Sequence, residues 1–317
     1  MTDPRVVALA GGVGGAKLAD GLQRVLPERA LTVVVNTADD VERHGLLVMP
    51  DHDTVLYTLA GIANREQGWG IEGETYGAME MLARYGEPAW FRLGDRDLAG
   101  HIVRTRLLRE GHRLTDACLV LQAGLGIPSR ILPVADEPIR TRVVTPDGTL
   151  DFQDYFVRLR QEPEVSAIDL AGVAAAAPTP EVRAALEVAT HVVVCPSNPI
   201  VSIGPILAVR GLRELVAAAR ARGVPVVAVS PIVGGRALKG PADRMLASLG
   251  HEVSATGVAQ LYRDVVDTFV LDEVDRDLRP AVEGLGLRAL VTDTVMVDEA
   301  ARARLATVVL TASGRHR

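Results

Sequence analysis

The sequence predicts a doubly wound α/β fold, in which helices cover both faces of a Rossmann-like parallel sheet. Short apolar runs alternate with segments of helical periodicity, as is typical of βαβ units. Hydrophobic residues make up 48% of the chain and aromatic residues only 3%, which suits valine-rich buried strands under alanine-rich helices. A glycine cluster at residues 11–15 joins the first predicted strand to the first predicted helix.

The individual strands and helices of the sheet follow from this alternation. Apolar runs predict strands at residues 5–10, 31–35, 165–170, 191–195, 224–230 and 288–291. Helices are predicted at residues 16–25, 180–189 and 211–222. Pro180 suits a first helical turn, and Gly223 suits the end of a helix. Strands and helices in this order build a parallel sheet with right-handed crossovers.

Between residues 54 and 126 the pattern changes to consecutive helices. Segments 54–63, 74–85, 95–110 and 114–125 have helical spacing, with no strong strand pattern between them. We expect a Rossmann-like nucleotide-binding core of residues 1–53 and 127–317. A helical insertion, residues 54–126, is expected to emerge at the ligand edge of the sheet. Farther along, residues 141–145 and 149–156 flank an Asp147-Gly148 turn and predict a small β-hairpin.

The junction at residues 11–18 predicts a phosphate-binding site. Backbone N–H groups point outward at a helix N-terminus, and absent Cβ atoms let a pyrophosphate approach closely. The candidate residues are Gly12, Gly14, Gly15 and Lys17. The motif is not a complete dinucleotide fingerprint, because Lys17 replaces the last glycine, nor a Walker loop, because Leu18 follows the lysine. A tight turn without a ligand is the alternative.

Two acidic segments are predicted to meet at the same edge of the sheet. The run that begins at Asn36 and ends at Asp40 follows the second strand, and Asp51 and Asp53 come shortly after it. An oxygen-rich ligand set without thiolates favours Mg²⁺ or Mn²⁺. Asp40 and Asp53 are therefore candidate metal ligands and catalytic residues, with helix or turn capping as the alternative. His52 is expected to be a solvated loop residue, with a general base as the alternative.

Three further polar segments supply candidate site residues. Segment 90–97 carries Arg92, a candidate for binding a sugar hydroxyl or an anion, and Asp95, which is placed to cap the following helix. Two loops that follow strands combine proline, glycine and small polar residues and are expected to contact a base or a phosphate. Their candidate residues are Ser197, Asn198, Ser202, Gly204, Gly234 and Arg236. Polar loops at successive strand ends form one crevice.

Composition and net charge indicate in which cellular compartment the protein is expected and which binding partners are disfavoured. The net charge of −6 argues against non-specific nucleic-acid binding, which needs a basic surface. Two cysteines, Cys118 and Cys195, make no disulfide framework and favour a reducing cytoplasm. The sequence has no signal-peptide pattern and no run of about 18 apolar residues, so no membrane association is expected.

Taken together in this order, the motifs resemble the 2-phospho-L-lactate transferase family (CofD), and the resemblance covers nearly the whole chain. The matching segments are GGVGGAKL (11–18), VVVNTADD (33–40), PDHDTVLYTL (50–59), WGIEGETYGA (69–78), LGDRDLAGHIVR (93–104), LPVADEP (132–138), FQDYFVRLR (152–160), PSNPIVSIGPIL (196–207) and SPIVGGRALKGPA (230–242).

The resemblance implies a transferase of coenzyme F-420 biosynthesis. Such enzymes move 2-phospholactate or phosphoenolpyruvate from a guanosine diphosphate conjugate to the ribityl hydroxyl of the deazaflavin Fo. The products are F-420-0 or dehydro-F-420-0 and GMP. Members require Mg²⁺ and are commonly homodimers. The resemblance places Asp53 and Arg92, with Asp95 beside them, at the Fo site to which the helical insertion contributes, and Asp40 and Asp53 at the metal. The glycine loop, Asn36 and the loops at 197–204 and 234–239 then surround the guanosine diphosphate.

Two other functions are compatible with a glycine loop of this kind. A nucleotide-sugar-binding regulatory protein of the gluconeogenesis-factor type would share the glycine loop and the paired aspartates. It would, however, have a Gly-Gly-Ser-Ser run after Asp40, where this chain has Val41-Glu42-Arg43-His44. A nicotinamide-dependent oxidoreductase is disfavoured by the incomplete fingerprint and by the missing ribose-binding carboxylate.

Overall fold

The structure, a computed structural model, describes residues 3–312. The strands in that range are β1 (Val6–Ala10), β2 (Leu31–Val35), β3 (Val41–Arg43), β4 (Leu46–Val48), β5 (Arg130–Pro133), β6 (Arg140–Thr145), β7 (Gly148–Asp151), β8 (Ala167–Ala171), β9 (His191–Val194), β10 (Val226–Val229), β11 (Ile232–Val233), β12 (Arg236–Ala237), β13 (Thr268–Leu271) and β14 (Arg288–Val291).

The α-helices in the same range are α1 (Gly12–Val25), α2 (Pro50–Leu59), α3 (Gly77–Arg84), α4 (Asp95–Arg109), α5 (Leu114–Gly124), α6 (Pro180–Glu187), α7 (Ile203–Ala208), α8 (Leu212–Ala221), α9 (Ala242–Ser248), α10 (Ala255–Tyr262), α11 (Arg279–Gly284) and α12 (Glu299–Thr311). A π-helix spans Asp154–Arg158, and a 3₁₀-helix spans Glu273–Leu278. Within residues 3–312, the helices lack the combination of length and apolar composition that crossing a bilayer requires.

Seven strands form the central sheet in the order β14-β13-β10-β9-β1-β2-β5, and all neighbouring pairs are parallel. The strand order reverses between β1 and β9, which is the switch point of a doubly wound sheet. The predicted fold class, a doubly wound α/β fold with a parallel central sheet, is confirmed.

Helices cover both faces because successive residues of each strand point to opposite sides. Val6 and Ala8 of β1 pack into one core with Leu18 of α1, while Val7 and Leu9 pack into the other with Ile206 of α7. All five residues of β1 are buried, as expected of a central parallel strand. Full burial of a side chain such as Leu9 contributes about 1.5–3 kcal/mol.

Several predicted elements differ from the structure. The strand expected in the main sheet at residues 165–170 is β8, which instead pairs antiparallel with β6 in a separate three-stranded sheet, β7-β6-β8. The residues of β8 are exposed or half-buried, which fits an edge strand of a small sheet. Its apolar composition had instead suggested a buried strand of the central sheet. Two further strands of the central sheet, β5 and β13, were not predicted from the sequence. The predicted hairpin is present as β6 and β7, paired antiparallel.

Between β2 and β5 the chain forms a short hairpin, β3–β4, and then α2 to α5. The helix predicted at residues 54–63 begins earlier, at Pro50, because proline suits the first turn of a helix. Asp51, His52 and Asp53 therefore lie in the first turns of α2 and not in a loop. The division of the chain into a core and an insertion at residues 54–126 stays a prediction.

Candidate active site

A cleft of about 700 Å³ lies at the carboxyl ends of the central strands, at the switch point. Its walls include residues 11–14, which follow β1 and form the first turn of α1. They also include residues 196–198 after β9 and Ser230 after β10. Helix α2 contributes Asp51, Asp53 and Tyr57, and helix α4 contributes Asp97 and His101. Segments distant in sequence thus build one continuous site.

The glycine loop after β1 is packed closely against the loop after β9. A Cβ added to Gly14 would overlap the carbonyl oxygen of Pro196, and one added to Gly15 would overlap the Ser197 hydroxyl. The backbone N–H of Gly11 donates to that hydroxyl at 3.0 Å. Gly12 begins α1 with a φ of +59°, a conformation that favours glycine. The glycines therefore let two loops meet at the start of α1, beside the cleft.

Of the predicted residues in this loop, Gly12, Gly14 and Lys17 line the cleft. Gly15 lies behind them, buried against Ser197 and Ala10. The ammonium group of Lys17 donates to the Met296 carbonyl at 3.1 Å. Burial lowers the pKa of Lys17, and the charges of Arg302 and Lys239 lower it further. An anion placed between these cations would relieve their mutual repulsion.

The loop after β9 brings Ser197, Asn198 and Ser202 to the cleft wall. The Asn198 side-chain oxygen accepts from the backbone N–H of Ile200 at 2.9 Å, which folds the loop on itself. Gly204 lies in α7 and donates its N–H to the Pro199 carbonyl. It is not among the described residues that line the cleft.

The hairpin β11–β12 is placed differently from the prediction. The N–H of Gly234 donates to Asp275 at 3.0 Å, and Arg236 is exposed. Among the described residues, neither one lines the cleft. The adjoining Leu238 and Lys239 do so. Lys239 donates to the carbonyl oxygens of Glu66 and Gln67 at 3.3 and 3.2 Å, and so connects this loop to the opposite rim.

Asn36 is fully buried and holds Asp51 in place. Its amide donates to Asp51 Oδ2 at 3.0 Å and to the Val201 carbonyl at 3.1 Å, and Ser202 donates to the same carboxylate oxygen at 3.1 Å. Burial raises the pKa of Asp51, and these hydrogen bonds oppose that shift. Asn36 therefore supports two cleft-lining residues, Asp51 and Val201, from behind the wall.

Asp40 and Asp53 have contrasting environments. Asp40 is buried, and of its two oxygens Oδ1 has no hydrogen-bond partner among the described residues. Burial raises the pKa of Asp40 well above its usual value, against the opposing charges of Arg140 and Arg104. Within residues 3–312, Asp53 lines the cleft and Asp40 does not. The negative charge of Asp53 also contributes to raising the pKa of Asp40.

Asp53 belongs to a buried network that the sequence analysis did not find. Arg104 donates to both carboxylate oxygens of Asp53, to Oδ2 at 3.1 Å and to Oδ1 through its other terminal nitrogen. Burial alone would raise the pKa of Asp53. The charge of Arg104, supported by His52 and His101, instead holds that pKa well below its usual range. Tyr57 of α2 and Asp97 of α4 also line the cleft, and the Tyr57 hydroxyl donates to Asp97 Oδ1 at 2.6 Å.

A signal for this network was present in the sequence. Asp97, His101 and Arg104 are spaced at i, i+4 and i+7, so they share one face of α4. Charged side chains in a helix are usually solvated, and this pattern alone does not distinguish a buried polar face from an exposed one.

The expectation that His52 is a solvated loop residue is wrong. Its side chain is completely buried in α2, with Nδ1 at 3.7 Å from Asp53 Oδ1. Neither ring nitrogen has a hydrogen-bond partner among residues 3–312.

Arg92 and Asp95 separate in the structure. Arg92 lines the cleft, and its guanidinium lies 3.9 Å from the centre of the Tyr76 ring. Asp95 accepts from the Thr75 hydroxyl at 2.6 Å and from the backbone N–H groups of Gly77 and Ala78 at 2.9 and 3.0 Å. These bonds lower the pKa of Asp95, and they cap α3. Asp95 begins α4 but caps its neighbour, and it is not among the described residues on the cleft wall.

Aromatic residues form an apolar part of the cleft that the sequence analysis had not assigned. The described lining includes Trp69, Phe91, Phe152 and Phe156. Phe152 and Phe156 stack with their centroids 5.5 Å apart, and Phe156 lies in the π-helix. Such a surface suits a flat, largely apolar ligand.

The acidic part of the cleft has the donor chemistry of a divalent cation site. Asp53, Asp97 and His101 each offer a ligand atom, and those atoms lie within 4.8 Å of one another. Asp40 Oδ1 is buried without a hydrogen-bond partner among the described residues, as expected of an oxygen that binds a cation. His101 places Nε2 at 3.2 Å from Asp97 Oδ1 and Nδ1 at 3.4 Å from Arg104 Nη1. The residues present therefore fit Mg²⁺ or a similar ion.

Fold and site define a Rossmann-like α/β protein whose switch-point cleft joins a glycine loop to buried carboxylates. The model of the family described as 2-phospho-L-lactate transferase CofD matches residues 6–310. The chain belongs to this family, as its motifs had indicated, and it is a transferase.

Curated relatives match over nearly their whole length. The 2-phospho-L-lactate transferase of Methanosarcina mazei is 43% identical over 307 residues, which cover 97% of this chain and 100% of that protein. The phosphoenolpyruvate transferase of Streptomyces griseus is 45% identical over 308 residues, covering 95% and 96%. These similarities favour a transferase over the regulatory protein and the oxidoreductase that the glycine loop had left open.

The fold is also similar to that of a solved member of the UPF0052 family from Bacillus halodurans. The TM-score is 0.68, and the alignment covers 98% of this chain and 99% of that one. At 15% sequence identity this similarity concerns the fold alone.

Proposed function

We propose that the cleft transfers a phosphorylated three-carbon acid from its guanosine diphosphate conjugate to the ribityl hydroxyl of the deazaflavin Fo, as a step of coenzyme F-420 biosynthesis. The acid is 2-phospholactate or phosphoenolpyruvate, and the products are F-420-0 or dehydro-F-420-0 and GMP. Relatives named for each acid are similarly close to this chain, which supports the reaction type and leaves both donors open.

The observation that carries this proposal is that one cleft contains both an anion-binding end and an acceptor-binding end. Gly12, Gly14 and Lys17 lie at the first, where backbone N–H groups and an ammonium group suit a diphosphate. Asp53 and Arg92 lie on the same cleft's wall, where we assign them to Fo. The apolar ring of Fo would fit the aromatic residues nearby.

The transfer is a displacement at phosphorus. The ribityl oxygen forms a bond to the phosphorus atom that carries the acid, the bond from that phosphorus to the oxygen of GMP breaks, and GMP leaves. The ribityl proton passes to solvent or to a phosphate oxygen. Reactions of this class depend mainly on positioning and charge neutralisation.

The ionisation of the Asp53 carboxylate indicates which role it would have in this displacement. Because Arg104 keeps the pKa of Asp53 low, the carboxylate is ionised at neutral pH and is a weak proton acceptor. It is suited to orient the ribityl hydroxyl and to hold Mg²⁺, together with Asp40 as the second carboxylate. Bound Mg²⁺ would supply charge neutralisation on the phosphates.

Several further assignments belong to the same proposal. Ser197, Asn198 and Ser202 would contact the guanosine diphosphate directly, and Asn36 would act through Asp51. Gly15, Gly204, Gly234, Arg236 and Asp95 would support the loops around the ligands from behind the cleft surface. We also propose that the protein works as a homodimer in the cytoplasm, without nucleic-acid or membrane partners.

The test is a product assay. The purified protein is incubated with Fo, Mg²⁺ and each guanylylated acid in turn, and products are identified by mass. The proposal expects GMP together with F-420-0 or dehydro-F-420-0, and no product when Mg²⁺ is chelated. Cleavage of the donor without modification of Fo, or no turnover with either donor, would contradict it.

A further inference from the structure

The aromatic part of the cleft is built from segments that meet at one arginine. Phe91 lines the cleft from the segment before α4, and Phe156 lines it from the π-helix. Arg43 of β3 lies next to both segments, although it is not among the described residues that line the cleft. Its guanidinium lies 5.7 Å from the centre of the Phe91 ring, and its Nη2 lies 3.9 Å from Asp154 Oδ2 at the start of the π-helix. Arg43 therefore connects the two segments from behind the cleft wall.

Aromatic rings surround the Arg43 guanidinium in place of hydrogen-bond partners. The guanidinium lies 4.7 Å from the centre of the Trp90 ring, and Trp90 packs edge to face against Phe91 with 5.8 Å between ring centroids. Nε and Nη2 of Arg43 are buried and have no hydrogen-bond partner among residues 3–312. Burying a charge without hydrogen bonds is unfavourable, and cation–π contacts offset only part of that cost. A guanidinium buried in this way calls for an explanation beyond stability.

Asp154 lies between two arginines. Its Oδ1 accepts from Arg158 Nε at 2.7 Å within the π-helix, and its Oδ2 faces Arg43. At 3.9 Å the contact between Arg43 and Asp154 is an ion pair without a hydrogen bond. A movement of about 1 Å would bring the two groups to hydrogen-bond distance. The two aromatic segments can therefore approach each other slightly around a ligand and remain joined.

We propose that Arg43 is a positioning residue for a flat acceptor. By stacking on Trp90 and Phe91 and pairing with Asp154, it fixes the relative position of the two aromatic segments that a deazaflavin ring would contact. Arg43 itself touches neither the ring nor the reacting atoms. The inference rests on the proposed function, because it takes Fo to be the ligand of the aromatic part of the cleft. Arg43 therefore affects acceptor binding and leaves donor binding unaltered.

The first test measures Fo affinity from the fluorescence of the deazaflavin, with no donor present. Arg43→Met keeps a long apolar side chain against Trp90 and removes the charge. It should weaken Fo binding about fivefold, which is the size expected for the loss of a cation–π contact. Arg43→Lys keeps the charge without the flat guanidinium and should recover part of the loss. Unaltered Fo affinity in both variants would overturn the proposal.

Steady-state kinetics and calorimetry distinguish positioning from a general loss of structure. In Arg43→Met the KM for Fo should rise by about the same factor as the dissociation constant, whereas kcat at saturating Fo should stay within about twofold. The affinity for GDP, measured by calorimetry, should be unchanged. A fall in GDP affinity equal to the fall in Fo affinity would show a general structural role and would overturn the proposal.

Arg109→Met is the matched control. Arg109 Nη2 donates to the Gly45 carbonyl at 2.8 Å, so it supports the same β3–β4 hairpin. In the described part of the chain its guanidinium is not stacked on an aromatic ring. Arg109→Met should therefore leave Fo affinity unaltered, even where it lowers thermal stability. Equal weakening of Fo binding in Arg109→Met and Arg43→Met would mean that hairpin stability alone matters, and would contradict the proposal.

A double-mutant cycle tests the pairing with Asp154. Asp154→Asn should weaken Fo binding in the unaltered protein and clearly less in Arg43→Met, because its partner is then already absent. Strictly additive effects would overturn the pairing. If Arg43→Met fails to fold, Arg43→Lys and its own cycle with Asp154→Asn decide. A protein that makes the expected products with an Fo affinity independent of Arg43 refutes this inference alone, whereas an unaltered protein that does not bind Fo refutes the proposed function as well.

Discussion

Arg104 and Asp53 form a buried ion pair directly behind the cleft wall, in which the guanidinium donates to both carboxylate oxygens. Arg104 is fully buried, whereas Asp53 also lines the cleft. A residue with no access to substrate thus sets the charge of one that we assign to the reaction.

Replacing Asp53 by asparagine is expected to lower turnover roughly 100-fold or more, because charge stabilisation at the phosphorus would be lost. GDP binding should survive, since the glycine loop and Lys17 lie elsewhere on the wall. Calorimetry with GDP beside the product assay measures both effects. Because the change leaves Arg104 buried without its counter-charge, at a cost of about 3 kcal/mol, folding must be confirmed by circular dichroism. Near-normal turnover would remove Asp53 from the mechanism.

Replacing Arg104 by glutamine is expected to reduce stability at neutral pH and to change its pH dependence. The folded-state pKa of Asp53 lies below the unfolded value of about 3.9. The pair therefore stabilises the fold above about pH 4, and this stabilisation is lost as pH falls toward the folded-state pKa. Urea unfolding between pH 7 and 3 should show a gap between the two proteins that narrows on acidification. A gap that is constant or widens would contradict the assignment.

Gly14→Ala should disrupt the contact between the loops after β1 and β9. The added methyl group would overlap the Pro196 carbonyl, and backbone cannot move aside as a flexible side chain does. We expect lower thermal stability and strongly weakened GDP binding. Gly124→Ala is the matched control, because Gly124 ends α5 and no atom from beyond its own helix backbone and chain neighbours lies within 4 Å of the added Cβ. Equal GDP affinity in the two variants would show that the close approach does not matter for binding.

Lys17 should make GDP binding depend on pH. Because its pKa is lowered by burial and by Arg302 and Lys239, Lys17 loses its charge at a lower pH than the ordinary value of about 10.4. GDP affinity is therefore expected to fall as pH rises, and to fall less steeply in Lys17→Gln. Titration of the ligand itself cancels in this comparison. The same slope in both proteins would exclude Lys17 from diphosphate binding.

The sequence could predict the local features of the site but not the contacts between distant segments. The junction of β1 and α1 was predictable because a strand, glycines and a helix are adjacent along the chain. The burial of His52 and the pairing of Arg104 with Asp53 depend on how α2 packs beside α4. Neighbouring residues do not encode that packing.

The difference between local and long-range information also explains which strands could be predicted. The β1, β2 and β9 strands were predicted from uninterrupted apolar runs, whereas β5 contains arginine and proline in its four residues and was not recognised. β8 was predicted as a strand but assigned to the wrong sheet, since strand propensity says little about the partner. Asp95 shows a related limit, because a carboxylate at a helix start can cap a different helix.

The most direct test of the account is a crystal structure with GDP, Fo and Mg²⁺ bound. The diphosphate is expected at the backbone N–H groups of residues 12–14, at the start of α1, with the ribityl hydroxyl within hydrogen-bond distance of Asp53. A diphosphate bound elsewhere, or Asp53 remote from both the hydroxyl and the cation, would contradict it.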